Sequence, residues 1–182
     1  GTAAIANAFY GIFVDNVSNV TIGGTAAGAG NVISASESGI VISGSSASNN
    51  VIQGNVIGLD AAGTADLGNT FDGIQLNSGA SGNTIGGTAA GARNIISGNN
   101  GSGVSISDAG SDGNVVEGNY IGTDITGTLD RGNTSYGIEI TLGAASTTIG
   151  GTAAGAGNVI SGNNNAGVIL FGATTTGNDV VS

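Results

Sequence analysis

A short pattern recurs along the chain in which a glycine precedes an apolar residue, a variable residue and a second apolar residue. It reads GIFV at Gly11, GIVI at Gly39, GIQL at Gly73, GVSI at Gly103, GIEI at Gly137 and GVIL at Gly167. Within it Ile74 and Leu76 flank Gln75, and Ser105 and Glu139 take the same middle place in later copies. Alternation with a period of two is that of a half-buried strand, whose successive side chains point to opposite faces. The markers lie 28, 34, 30, 34 and 30 residues apart. Each step holds three apolar pieces, GIQL, NTIG and NIIS in one and GVSI, NVVE and NYIG in the next. Three strands per turn predict a triangular coil, and six markers predict about six rungs.

A longer repeat lies over the short one. TIGGTAAGAGNVIS at Thr21 to Ser34 returns as TIGGTAAGARNIIS at Thr84 to Ser97 and identically as TIGGTAAGAGNVIS at Thr148 to Ser161, with spacings of 63 and 64 residues. Between these copies, NVIQGNVIGLDAAGTADLGNT from Asn50 aligns with NVVEGNYIGTDITGTLDRGNT from Asn114. Coils of about 30 and 34 residues therefore alternate. Helix does not fit, because glycine or a β-branched residue interrupts almost every window. Equivalent strands recur in the same internal order, which favours parallel stacking of like on like over antiparallel hairpins. The fold predicted is all-β, a parallel β-helix, and the crossover rule makes it right-handed. At about 4.8 Å per rung it would be on the order of 25 to 30 Å long.

Asparagine recurs at two corners of the coil: Asn50, Asn83 and Asn114 before the second strand, and Asn31, Asn55, Asn94, Asn119 and Asn158 before the third. Stacked amides would form inward ladders that satisfy otherwise buried polar groups. The alternative is that these residues only supply turn conformations. At the start GTAAIANAFYG aligns with GTADLGNTFDG at Gly63 and GTLDRGNTSYG at Gly127, and at the end GNDVVS aligns with GNVVEG at Gly113. The expectation is one repeat array over residues 1–182, uncapped at both ends, either cut from a longer array or stacking end to end as a filament.

Composition narrows the classes of function. With 39% apolar residues, 4% aromatic residues and mean hydropathy of +0.26, the chain has an aliphatic core to bury, unlike a disordered linker. No apolar run approaches the roughly 20 residues of a membrane span, and no basic segment precedes an apolar one as in a signal peptide. Net charge is −10, and Arg93 and Arg131 are the only basic side chains. Two arginines cannot neutralise a row of phosphates, which argues against nucleic acid and against anionic membranes as partners. The chain has no cysteine and no histidine, so disulfides, zinc sites and the usual nucleophilic triads are excluded.

The most polar excursions are the loops from Gly58 to Asp72 and from Gly122 to Tyr136. Asp60 and Asp66 in the first match Asp124 and Asp130 in the second, with glycines between that let carbonyls turn inward. Calcium takes such oxygen ligands and is the one cofactor these residues offer; the competing reading is a solvated acidic loop. The TAAGA turns at Thr25 to Ala29, Thr88 to Ala92 and Thr152 to Ala156 recur on every second rung, about 9.6 Å apart. They suit either a regular ligand-binding face or a close-packed turn that admits only small residues. Sequons such as those at Asn16 and Asn133 carry little weight in a chain so rich in Asn and Thr. Arg93 or Arg131 would have to be the base of a lyase, and an inverting glycosidase would need carboxylates roughly 6.5 to 9.5 Å apart.

The strings NTIGGTAAGARNIISGN and GNYIGTDITGTLDRGNT resemble the tandem right-handed β-helix repeats of very large bacterial surface and secreted proteins, within the broader pectate-lyase-like architecture. The resemblance covers almost the whole chain and implies an extracellular or cell-surface structural or adhesive scaffold. It supplies no active site, and no catalytic residue is assigned. The alternative it leaves is a module that binds or modifies polysaccharide as a lyase, epimerase or glycosidase. Expected partners are further copies along the axis, or polysaccharide.

Overall fold

The computed structural model describes Ala3 and residues 5–181. Gly1, Thr2 and Ala4 of the initial alignment, and Ser182 of the last one, lie outside the described residues. The chain winds through three parallel sheets, one strand of each per coil. Sheet A holds the marker strands β1 (Tyr10–Asp15), β4 (Ser38–Ser43), β7 (Ile74–Asn77), β10 (Val104–Ile106), β13 (Ile138–Thr141) and β16 (Val168–Phe171). Sheet B holds β2 (Thr21–Gly23), β5 (Val51–Gln53), β8 (Thr84–Gly86), β11 (Val115–Glu117), β14 (Thr148–Gly150) and β17 (Asp179–Val181). Sheet C holds β3 (Val32–Ile33), β6 (Val56–Ile57), β9 (Ile95–Ile96), β12 (Tyr120–Ile121) and β15 (Val159–Ile160). Among the described residues there is no α-helix, and one 3-10 turn covers Ala90–Ala92.

The register stacks like on like. Ile40, Ile74, Val104 and Ile138 lie side by side in sheet A, as do Ile42, Leu76, Ile106 and Ile140 two residues on. Ile52, Ile85, Val116 and Ile149 form the inner column of sheet B, and Ile57, Ile96, Ile121 and Ile160 that of sheet C. These aliphatic columns are the core, and most of their members are fully buried. Each buried side chain contributes roughly 1.5 to 3 kcal/mol, so a narrow prism can be stable with hardly an aromatic residue inside. The middle residue of each marker points outward, so Val41, Gln75, Ser105 and Glu139 form an external column.

At the corners the asparagines stack as predicted. Along the corner before sheet C, Asn31, Asn55 and Asn94 each donate both the main-chain N–H and Nδ2 to Oδ1 of the asparagine one rung on, and Asn119 does the same to Asn158, at 2.9 to 3.2 Å. The second Nδ2 hydrogen of Asn55, Asn94, Asn119 and Asn158 reaches a strand carbonyl, at Ile22, Ile52, Ile85 and Val116. Every polar atom of the buried Asn55, Asn94 and Asn119 amides is thereby used, which removes the cost of placing them in a narrow apolar prism. The corner before sheet B repeats the arrangement from Asn50 through Asn83 to Asn114. There the series is interrupted. Thr147 takes the next place; its N–H donates to Asn178 Oδ1 at 2.8 Å, but its buried hydroxyl has no partner.

Candidate functional site

Two kinds of excursion leave the prism, and they are the surfaces available for function. Odd coils carry the TAAGA turns between sheets B and C, where even coils cross by a tight Gly-Asn corner, Gly54-Asn55 or Gly118-Asn119. Even coils carry the long acidic loops between sheets C and A, where odd coils cross by a short corner.

In the acidic loops Asp60 and Asp124 are buried and turned into their own loop. Asp60 Oδ1 accepts the N–H groups of Thr64 at 2.8 Å and Ala65 at 3.0 Å. Asp124 Oδ1 accepts those of Thr128 and Leu129, both at 3.1 Å, and its carboxylate also takes the Thr126 hydroxyl. In each loop the aspartate N–H donates to the carbonyl five residues on, Ala65 or Leu129, closing a small ring. The bonds from Ala65 and Thr64 hold the Asp60 carboxyl below its ordinary pKa. For Asp124, burial pushes upward, but the donors at Leu129, Thr126 and Thr128 outweigh it, and the net shift is again downward.

Asp66 and Asp130 lie on the far limb of the same loops and remain exposed. Asp130 Oδ1 accepts the N–H of Gly132 at 2.9 Å, and Asp66 lies 3.9 Å from Arg131 Nε, an exposed pair of little energetic weight. Each loop thus brings one carboxylate inward and leaves one in solvent. Among the described residues no three acidic side chains converge on a point that could hold a metal ion.

The two acidic loops touch although a coil lies between them. Ile125 N–H donates to the Gly63 carbonyl at 3.0 Å, and Arg131 Nε donates to the Thr64 carbonyl at 2.6 Å. The TAAGA turns meet in the same alternate fashion, but through backbone. A methyl group on Gly91 would overlap the Thr25 carbonyl, and one on Gly155 would overlap the Thr88 carbonyl. The intervening tight corners join in, with Gly54 N–H on the Ala92 carbonyl and Gly118 N–H on the Ala156 carbonyl. Small residues are therefore required there by close packing of loop on loop.

Arg93 is held in place. Its guanidinium carbon lies 4.0 Å from the centre of the Tyr120 ring, and its Nε donates to the Gly118 carbonyl. The stack borders a shallow cleft of about 230 Å³ on the outer face of sheet C, lined by Val56, Ile95, Arg93, Ala90 and Ile125. At the sequons singled out above, Asn16 is exposed, whereas Asn133 is fully buried and closed to modification in the folded chain.

Asn133 belongs to a third ladder that the sequence reading passed over. Asn69, Asn99 and Asn133 each donate N–H and Nδ2 to the next asparagine, ending on Asn163. Ser36 N–H enters it at Asn69, and Asn7 Nδ2 donates to Ser36 Oγ. The signal was positional, since Asn7, Asn69, Asn99, Asn133 and Asn163 all stand four residues before a marker glycine.

These features define a class: the protein is a parallel β-solenoid of about six coils, with three sheets and three corner ladders. Compared with family models, curated proteins and solved structures, the chain matches none, so no family is assigned.

Proposed function

We propose that the chain is an extracellular structural or adhesive scaffold of the kind built from tandem right-handed β-helix repeats in large bacterial surface proteins, and that its coils stack end to end into a filament. The observation that carries this reading is the contact of loops across an intervening coil, Gly63 with Ile125 and Thr88 with Gly155. Each excursion is tied to its counterpart two rungs away, which braces the prism along its axis on two of its three edges. Side chains that look chemically active serve the same end: Asp60 and Asp124 close their loops, Arg131 bridges them, and Arg93 packs on Tyr120. A rod stiffened in this way suits length and multivalent contact better than a single reaction centre.

The cleft beside Arg93 favours the second reading, a module that binds or modifies polysaccharide, because a glycan chain would lie along such a groove. Three measurements separate the readings. Antibody labelling of intact producing cells, lost after protease shaving, is the result expected for a surface scaffold. Release of unsaturated or reducing sugar from acidic polysaccharides would replace it with the enzymatic reading, and retention on a glycan array without turnover with the binding module.

A further inference from the structure

The repeat supplies its own standard of what the coil requires. Arg93 stands where the other two TAAGA units have Gly30 and Gly157, Tyr120 where the preceding even coil has Val56, and Ile125 where the first acidic loop has Ala61. The copies with the smaller residues form the same strands of sheet C in the same register, so the coil does not need the larger ones. These three departures sit in a turn, a strand and a loop. They nevertheless gather at one place in the middle of the molecule, the cleft on the outer face of sheet C.

Val56 and Ile95, neighbours in the outward column of sheet C, form the floor of the cleft. Ala90 and Arg93 of the TAAGA unit wall one side, and Ile125 of the acidic loop, 46% exposed, walls the other. Tyr120 comes next after Ile95 in the column and closes one end, its ring lying between Arg93 and the backbone of Gly127. The guanidinium of Arg93 is thus oriented by the ring and by its Nε bond to the Gly118 carbonyl. Among the described residues no carboxylate lies within ion-pair distance of it, and its two Nη atoms donate to no protein group. Arg131, the other cation, faces Asp66 and bonds the carbonyls of Thr64 and Asp130. The cleft is therefore an apolar shelf with one oriented, uncompensated positive charge at its end.

From this convergence we infer that the cleft binds one carboxylated sugar residue at the end of an otherwise neutral glycan, its carboxylate on Arg93 and the C–H face of its ring on Val56 and Ile95. The inference rests on the glycan-binding reading above and names the sugar class. A guanidinium offers a carboxylate two parallel N–H donors, and its stacking on Tyr120 leaves those edges free. At about 230 Å³ the cleft is smaller than the roughly 300 Å³ at which pockets for drug-sized ligands begin, which suits one ring and not a length of chain. The charge of the whole molecule selects further. With a net charge of −10, and Asp66 and Asp130 exposed on the acidic loops, the surrounding field opposes a polymer charged at every residue. A single carboxylate avoids most of that repulsion. Arg93 is the only ionisable side chain lining the cleft and can only donate, so the site retains its sugar without turning it over.

The test is a titration of the isotope-labelled chain, followed by NMR, with sialyllactose, lactose, polygalacturonate and the dipeptide acetyl-leucyl-alanine. Sialyllactose, a neutral disaccharide capped by one carboxylated sugar, should shift the Nε–H of Arg93 and the amides of Ala90, Ile95 and Ile125. Lactose should bind at least about tenfold more weakly, since the charge-assisted pair is lost. Arg93→Gln should weaken sialyllactose by the same factor. Tyr120→Val and Ile125→Ala install residues that the repeat already carries, so the circular dichroism spectrum should be unchanged while affinity falls about threefold. Equal affinity for lactose would remove the role of the carboxylate, and full affinity in Arg93→Gln and Ile125→Ala would remove this cleft; in either case the glycan-binding reading stands. Tighter binding of polygalacturonate at the same residues would overturn the preference for a single charge. Shifts with the dipeptide as strong as with sialyllactose would give the cleft to a peptide C-terminus and overturn the sugar. Absence of shifts with every probe would overturn the inference outright, and the glycan array then judges the glycan-binding reading by itself.

Discussion

The two sets of excursions do the same mechanical job by different chemistry. Between sheets B and C, TAAGA turns on odd coils press backbone against backbone, Gly91 on Thr25 and Gly155 on Thr88. Between sheets C and A, acidic loops on even coils are each closed by a buried carboxylate and joined through Ile125 and Arg131. Each coil class is long at one corner and short at the other, so an excursion lies over the space that its neighbours leave. What the difference teaches is that one seam depends on the absence of side-chain volume and the other on the presence of a particular anion. They should therefore fail under different insults.

The largest effect is expected in the small-residue seam. Gly28 and Gly155 occupy the same place in two TAAGA turns, with φ of 79° and 87°. A methyl group on Gly28 meets nothing, whereas one on Gly155 meets the Thr88 carbonyl. Gly28→Ala should cost about 1 kcal/mol, the penalty of an L-residue at positive φ. Gly155→Ala adds overlap with fixed backbone and should cost about 3 kcal/mol in denaturant unfolding. Equal costs would mean that the turn, and not its contact with the next turn, requires the glycine.

The acidic seam should respond next in size, and to pH. Asp124→Ala leaves the N–H groups of Thr128 and Leu129 without their acceptor and should lower Tm by a few degrees. Because the folded pKa values of Asp60 and Asp124 lie below the ordinary value, the stability they supply is complete above about pH 4. It falls away as the pH drops through the lower folded pKa, when the carboxylates lose their charge. Amide exchange at Thr64, Ala65, Thr128 and Leu129 should rise on acidification relative to Gly54 and Gly118, which bond to main-chain carbonyls in the other seam. A parallel rise at both seams would erase the distinction between them.

The sequence carried the prism more fully than its loops. Period-two markers, each opened by glycine, determine strand and face together, since a slip of one residue would turn Gln75 or Glu139 into the core. Two of the three ladders were legible because Asn recurs directly before the apolar pair of a strand. The third escaped because Asn99 and Asn163 are followed by exposed Asn100 and Asn164, and Asn69 and Asn133 sit inside what reads as a polar loop. Only their constant distance from the marker glycine singles out the buried member. The paired aspartates were legible as a repeat, but not which way they face. A carboxylate near glycines suits a cation or a ring of N–H donors equally well, and in this structure Asp60 and Asp124 each accept such N–H groups.

A smaller effect, of opposite sign, should come from the one interrupted ladder. Thr147 stands between Asn114 and Asn178 with its hydroxyl buried and unpartnered. Thr147→Asn would offer Oδ1 to the Asn114 amide and Nδ2 to a strand carbonyl, as every complete rung does, and should raise stability by about 1 kcal/mol. Loss of stability would show that the corner at Thr147 is too narrow for an amide. Hydrogen exchange should slow at both seams, since the ladder lies beneath neither loop class in particular.

The smallest effect is expected from calcium, and it tests the acidic seam most directly. If Asp60 and Asp124 are committed to their own N–H donors, adding Ca²⁺ after EDTA stripping should leave Tm unchanged, because binding at these loops would first have to break the bonds that close them. A ligand that binds the folded chain alone raises stability by about 2.7 kcal/mol at a hundred times its Kd, a shift of several degrees that a thermal scan would register. A rise in Tm that Asp66→Asn with Asp130→Asn abolishes would return the exposed carboxylates to the role of ligands. The acidic loops would then be a second seam tightened by an ion, and the contrast with the TAAGA turns would be greater still.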